Sequence, residues 1–243
     1  MRPNINPEQG QTSSIEFTGE RFVPGQSLSN MAADHFARYE FASNFVAGKR
    51  VLDIACGTGY GSALLAEAKA SYVLGVDCST DAINYADTHY RNDNLSFKQD
   101  NIFEFKSSEK FDVVVSFETI EHLENHSAAL TIIFDLLKFD GQLIISSPNR
   151  LITTPKARNQ VESGCGFHIK EFTIPELRKD LESVGFRVND GAIYGQRQQP
   201  YLKTAFLRKV YDILYKPKKR ASPRVVPVTT KMPRYFVIVA RKR

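Results

Sequence analysis

Short β-branched runs alternate with helically spaced segments along most of the chain. Residues 1–27 are polar and rich in Asn, Pro, Gly and Ser, and read as an arm. Residues 28–45 then place Met31, Phe36, Tyr39 and Phe45 at helical spacing. RVLDIA (50–55) reads as a first strand, followed by a Gly-rich turn and the helical YGSALLAEAKA. SYVLGVD (71–77) is a second strand, and Ser79 is placed to cap a helix over 80–90. LSFKQD (95–100), FDVVVSF (111–117) and GQLIISS (141–147) supply three more strands, with a helix at about 127–137 before the last and Pro148 ending it. Thr173-Ile174-Pro175-Glu176 forms a capping box with Pro in the first turn, opening a helix over 174–184. GFRVNDGAIYG (185–195) reads as a sixth strand and RYFVIVA (234–240) as a seventh. This alternation predicts an α/β, doubly wound, mostly parallel sheet built from right-handed βαβ units. Ligands in such sheets bind at the carboxyl ends of the strands, so residues just after each strand carry the chemistry.

Composition changes this picture little, and charge changes it more. A length of 243 residues, with 42% hydrophobic and 24% charged positions, fits one globular domain with arms. The N-terminal residues have no apolar core, so a cleaved secretory signal is not expected, and no run is long enough to span a membrane. Cys56, Cys78 and Cys165 are too widely spaced for a disulfide framework or a zinc pattern, which points to a cytoplasmic setting. The net charge of +5 is unevenly placed: residues 1–200 carry −7 and residues 201–243 carry +12. The chain is an acidic body with a basic end, and that end seeks an anionic partner.

The first strand runs into Asp53-Ile54-Ala55-Cys56-Gly57-Thr58-Gly59-Tyr60-Gly61, where glycines allow a sharp turn and close approach of a ligand. A dinucleotide fingerprint needs Gly three residues after Gly59, where Ser62 stands, and no Lys is present for a P-loop. The carboxylate of Asp53 suits a cationic ligand bearing an amine. Asp77 ends the second strand, where an acid can accept both ribose hydroxyls. Asp100 ends the third strand and can accept from an exocyclic amine, with Ile102 packing on the ring. Each acid alone reads equally well as a loop residue; three at successive strand tips point to a nucleoside.

These residues resemble class I S-adenosylmethionine-dependent methyltransferases. VLDIACGTGYGS is similar to their first motif, GVDCS to their ribose-binding motif and QDNIF to their adenine-binding motif, with FDVVVSFETIEHL and GQLIISSPN similar to the later ones. The resemblance covers about residues 48–192, and RYFVIVA resembles the antiparallel strand that closes their seven-stranded, Rossmann-like sheet. It implies S-adenosylmethionine as cofactor, with Asp53, Ala55, Gly57 and Gly59 at its methionine portion. Asp77 and Cys78 would meet the ribose, Asp100, Asn101 and Ile102 the adenine, and Phe117 and Glu118 would line the same site. TGERFVPG (18–25) and HFARYEFA (35–42) resemble the leader of methyltransferases found with bacterial glycan biosynthesis. On that resemblance residues 1–47 form an arm and a lid helix, Arg38 and Tyr39 meet the methionine end, and residues 48–243 form the catalytic domain, with a basic insertion at about 195–233.

Methyl transfer to a hydroxyl needs an in-line geometry and a base. His122, in Phe117-Glu118-Thr119-Ile120-Glu121-His122, is one candidate and His168, before the capped helix, is a second, with Glu121 orienting His122. The bland reading of His122 is a helix cap or a bond to a loop carbonyl. Glu118, Glu121, His122 and His168 also match the metal-ligand set of small-RNA 2′-O-methyltransferases and resemble the motif of quinone-biosynthesis O-methyltransferases. Manganese, cobalt or iron would accept two His more readily than magnesium. His35, His89 and His126 show no partner pattern and read as surface or packing residues.

YLKTAFLRKVYDILYKPKKR (201–220) has amphipathic helical spacing and a basic face. It reads as a helix packed on the body, as an interfacial helix on an anionic membrane face, or, less well, as a nucleic-acid contact, since no recognition module is present. The expectation is an O-methyltransferase for a small-molecule or glycan-precursor hydroxyl. The alternatives are a metal-assisted RNA 2′-O-methyltransferase and a non-catalytic nucleoside-binding module.

Overall fold

The computed structural model describes residues 29–154, 168–200 and 221–243. The polar arm, the leader segment 18–25, Cys165 and the amphipathic segment 201–220 lie outside the described residues. Helix α1 (Ser29–Ala42) continues as a 3-10 turn at Ser43–Phe45 and leads into β1 (Arg50–Ile54), then α2 (Tyr60–Glu67) and β2 (Tyr72–Asp77). Next come α3 (Thr80–Tyr90), β3 (Leu95–Gln99), β4 (Phe111–Ser116), α4 (His126–Leu136) and β5 (Leu137–Pro148). A single turn α5 (Arg150–Thr153) precedes α6 (Ile174–Val184), and the chain finishes with β6 (Phe186–Arg187), β7 (Ile193–Gln196), β8 (Val226–Pro227) and β9 (Tyr235–Lys242).

The strands form one sheet in the order β3-β2-β1-β4-β5-β9-β7-β8, with β6 also paired to β9. β1 to β5 are parallel, and β9 enters antiparallel beside β5, pairing Leu143 with Ala240 and Pro148 with Tyr235. The doubly wound, mostly parallel architecture is therefore as expected. Among the described residues the sheet has nine strands rather than seven, because an edge strand is added and the expected sixth strand is broken. Its two pieces pair with β9 on either side of a 3-10 turn at Asp190–Ala192, and β8 adds a two-residue edge. Asn-Asp-Gly at 189–191 is turn chemistry that interrupts the ladder.

Alternate residues of each strand face opposite sides, so two apolar cores form. Leu52, Val114, Leu143 and Ile238 pack with α4 and α6 on one face. Val51, Val113, Ile144 and Val237 pack with α1, α2 and α3 on the other. Ser79 caps α3 through Ala82 N, and Thr173 with Glu176 forms the reciprocal capping box of α6. β1 lies between β2 and β4, so the chain winds outward in both directions from this pair and leaves a crevice at their carboxyl ends. Among the described residues no helix is long and apolar enough to cross a membrane.

Candidate active site

The turn after β1 places Ala55, Gly57 and Gly59 at φ of 60°, 57° and 81°, reversing the chain into α2. Asp77, at the tip of β2, stabilises this turn: its Oδ2 accepts from Gly57 N at 2.8 Å and its Oδ1 from Ser79 N at 2.9 Å. One carboxylate thus joins the glycine turn to the cap of α3. A cavity of about 590 Å³ opens above these tips, with Ala55, Gly57, Asp77 and Cys78 on its floor. Asp100, Asn101 and Ile102 line one end, and Phe117 and Glu118 line the wall toward α1. Asp100 accepts from Lys98 Nζ at 2.7 Å and from its neighbour Asn101 N at 2.9 Å. Glu118 adopts φ of 50°, an uncommon conformation for a side-chain-bearing residue. Ser146 fixes it there, its Oγ accepting from Glu118 N at 3.1 Å and donating to Glu118 Oε1 at 2.7 Å.

Three expected cofactor contacts are placed elsewhere. Asp53 is fully buried beneath the turn, where its carboxylate accepts from Tyr39 Oη at 3.1 and 3.2 Å and from Ser62 Oγ at 2.6 Å. Burial pushes its pKa up to about 7, against the hydrogen bonds of Ser62 and Tyr39, and the charge of Asp77 adds to the rise. Asp53, expected to accept from an amine of the ligand, is thus occupied by two protein donors and is not on the cavity lining; Tyr39 caps it and itself lines the cavity. Gly59 is also off the cavity wall, because it sits against α3 and β3. A Cβ there would lie 2.5 Å from Ala86 Cβ and 2.7 Å from the Phe97 ring. Arg38 opens not onto this cavity but onto a second one beside it, with its Nη1 donating to Gln196 Oε1 at 2.7 Å.

At the other end of the first cavity His122 and His168 meet edge to face, ring centroids 4.8 Å apart. The peptide N–H groups of Ile169 and Lys170 both donate to Glu121 O, at 2.8 and 3.0 Å, and this docks the 168–170 loop against the residues after β4. His168 Nδ1 lies 2.9 Å from Glu171 Oε1. A carboxylate can only accept, so Nδ1 carries the proton and Nε2 is the basic nitrogen of that ring. Glu171 also accepts from Thr154 Oγ1 at 2.6 Å and from Thr153 Oγ1. Burial raises its pKa, but the bonds from His168, Thr153 and Thr154 outweigh that and hold the carboxyl below the usual range. Glu121 is fully buried, and neither carboxylate oxygen has a hydrogen-bond partner among the described residues. Burial, then the nearby charge of Glu118, pushes its pKa well above the ordinary carboxylate range. One ligand atom each from Glu121, His122 and His168 lies within 4.8 Å of the others. Glu118, the fourth expected metal ligand, is not in this group and is held by Ser146 instead.

Sequence reasoning missed Met31, His35 and Tyr235, which close the first cavity from α1 and β9. His35, read from the sequence as a surface or packing residue, lines both cavities. Its Nδ1 is 3.0 Å from Tyr60 Oη, and burial, with Arg38 nearby, holds its pKa well below the ordinary value. Glu171 was legible only as a neighbour of His168, since the spacing of three carries no signal without the fold.

Residues 45–205 match the family described as "Methyltransferase domain". A Mycolicibacterium smegmatis protein named "Probable S-adenosylmethionine-dependent methyltransferase" is 31% identical over 194 residues, 78% of this chain and 73% of that one. A Mycobacterium tuberculosis protein of like designation is 30% identical over 186 residues, 74% of this chain and 66% of the relative. The Glaesserella parasuis "Ubiquinone biosynthesis O-methyltransferase" is 34% identical over 139 residues, 53% and 56% of the two chains. In fold the chain is similar to an S-adenosylmethionine-dependent methyltransferase from Mesorhizobium loti, with TM-score 0.60 and 17% identity over 86% of this chain and 100% of that one. It is also similar to the N-methyltransferase NodS from Bradyrhizobium japonicum in complex with S-adenosyl-L-homocysteine, with TM-score 0.56 and 16% identity over 88% and 86%. With a glycine turn tied to Asp77 at the strand-order switch and acids at successive strand tips, the chain belongs to the class I S-adenosylmethionine-dependent methyltransferases.

Proposed function

We propose that this methyltransferase methylates a hydroxyl of a sugar or glycan precursor, with the His122–His168 pair receiving the hydroxyl proton. The observation that carries this reading is the His168 ring, oriented by Glu171 and set against His122 on the wall of the cofactor cavity. A bound S-adenosylmethionine supplies an electrophilic methyl group on a sulfonium. The acidic wall of Asp77, Asp100 and Glu118 suits that positive charge. Asp77, which holds the turn beneath, would accept from the ribose, and Tyr39 and Glu118 would line the methionine side. The methyl group would go to the acceptor oxygen with loss of the C–S bond, leaving S-adenosylhomocysteine, and Nε2 of His168 would take the hydroxyl proton. The leader segment's resemblance to methyltransferases found with bacterial glycan biosynthesis supports a sugar; an O-methyltransferase among the relatives supports oxygen as the acceptor atom.

A second reading, exclusive of the His168 base because a bound ion would take the same Nε2, is favoured by Glu121. An unpartnered buried carboxylate beside two imidazoles is a suitable ligand set for a divalent ion, and it completes what the burial of Glu121 leaves unsatisfied. Two nitrogens and one carboxylate select manganese, cobalt or iron over magnesium. Such an ion would polarise the acceptor hydroxyl and lower its pKa. Calorimetric binding of Mn²⁺ to the wild-type protein, lost in His168→Ala, supports this; full activity after exhaustive chelation removes it. The acceptor is tested by a mass-spectrometric screen for a gain of one methylene. Methylation of a sugar hydroxyl supports the assignment, whereas methylation of a quinol or RNA 2′-hydroxyl and of no sugar overturns it.

A further inference from the structure

Lys170, two residues beyond His168, stands where a lysine is not expected. Its side chain is 11% exposed, and lysine is rarely buried without a reason. Its Nζ lies 3.0 Å from His126 Nε2, 3.6 Å from Asp180 Oδ2 and 4.4 Å from the Phe172 ring centroid. His126 opens α4, so the cation also sits at the end of that helix which disfavours positive charge. Asp180, on α6, is one-third exposed, and an ion pair so placed adds little stability. Fold stability alone does not account for this lysine.

The contacts of Lys170 lead to His122. His126 Nδ1 lies 3.3 Å from Leu123 O. A carbonyl only accepts, so Nδ1 carries the proton and Nε2 accepts from Lys170 Nζ. The 168–170 turn is thereby attached on both sides of His122. One attachment is through the main chain, where Ile169 N and Lys170 N donate to Glu121 O. The other is through side chains, from Lys170 by way of His126 to Leu123 O. Both main-chain bonds end on a single oxygen, and two bonds to one atom let the turn pivot about it. The far end of the segment is anchored after β5 instead. Phe172 is fully buried, its carbonyl accepts from Arg150 N at 3.0 Å, and Glu171 accepts from Thr154 Oγ1. Against the residues after β4, the Lys170 side chain supplies an off-axis contact that resists the pivot.

We infer that Lys170 is a positioning residue of the methyl-transfer site: locked through His126 to Leu123, it fixes the spacing between the His168 and His122 rings. Glu171 sets the orientation of the His168 ring, and Lys170 sets where the turn carrying that ring lies. A base or a ligand set works only within about 0.5 Å of its productive position, so a pivot of this turn lowers the rate without touching the cofactor. The inference rests on the proposed role of the two histidines for its catalytic meaning. It serves either form of that role, proton acceptor or ion ligand.

The full-length protein, carrying carbon-13 in its histidine rings and saturated with S-adenosylhomocysteine, is studied by NMR, with His122→Asn and His168→Asn assigning the two rings. A nuclear Overhauser effect between the His122 and His168 rings is expected in the wild type, since their centroids are 4.8 Å apart. It should be lost in Lys170→Met and in His126→Phe, which keeps an aromatic ring against Phe172. Lys170→Arg, which keeps a cationic donor, should retain it. The affinity for S-adenosylhomocysteine should stay within about twofold of wild type in all three, which also verifies folding. Persistence of the effect in Lys170→Met or His126→Phe overturns the inference, as does its absence from the wild type or its loss in Lys170→Arg. Loss of S-adenosylhomocysteine affinity along with the effect also overturns it, since Lys170 then supports the fold at large. No acceptor is needed, so failure of the proposed chemistry is read separately: a His168→Ala protein that methylates as fast as the wild type removes the base, whatever the rings show.

Discussion

Asp53 stands one residue before the end of β1 and Asp77 ends the neighbouring β2, yet their surroundings give them different chemistry. Asp77 uses both oxygens to hold backbone N–H groups and still faces the cavity, so a ligand bound to it would be coupled to the turn geometry. Asp77→Ala should therefore weaken S-adenosylhomocysteine by at least about tenfold in calorimetry; unchanged affinity would refute its role. Glu171 acts at one remove, through His168. Glu171→Gln keeps the shape but removes the charge opposite Nδ1, so kcat should fall by about tenfold or more while cofactor affinity is retained. An unaltered pH–rate profile in that variant would sink the oriented-base assignment. The three acids at strand tips were legible because strand ends are legible. The masking of Asp53 by Tyr39 was not, since Tyr39 arrives from a different helix.

At the scale of elements, the cofactor side depends on how α1 lies on α2. Gly61 opens the space: a Cβ there would lie 2.0 Å from the Tyr39 ring. The Tyr39 ring also meets Tyr60 and Phe117 edge to face, at centroid distances of 5.4 and 5.1 Å. Gly61→Ala should therefore displace α1, cost about 1–3 kcal/mol in urea unfolding and weaken S-adenosylhomocysteine binding. Normal stability and affinity would show that α1 can shift without consequence. Element boundaries were most legible where side chains cap them. Ser79 and Thr173 set the starts of α3 and α6 at the expected residues. The break between β6 and β7 was missed because local alternation does not reveal where a ladder partner stops pairing.

Across the whole molecule, the site gathers buried acids whose protonation is tied to folding. The folded pKa of Asp53, near 7, is above that of an unfolded aspartate, near 4. Between those values the native state holds a proton that the unfolded chain has lost, so stability falls as pH rises, by at most about 1.4 kcal/mol per pH unit. Glu121, also raised by burial, acts in the same direction. Urea midpoints at about pH 5, 6 and 7 should fall in the wild type and flatten in Asp53→Asn. Parallel slopes would show that Asp53 is not the proton carrier.

By itself the sequence determined the α/β alternation, the glycine turn and the acids at the ends of β2 and β3. Each depends on local periodicity, backbone conformation or a residue's place within one strand. Tertiary structure decided which of those groups face the cavity. It buried Asp53 under Tyr39, turned Gly59 into a packing position and detached Glu118 from the Glu121–His122–His168 group. It also set Arg38 against Gln196, 158 residues away. These outcomes follow from desolvation and from contacts between distant segments, which exist only once the sheet has brought the segments together.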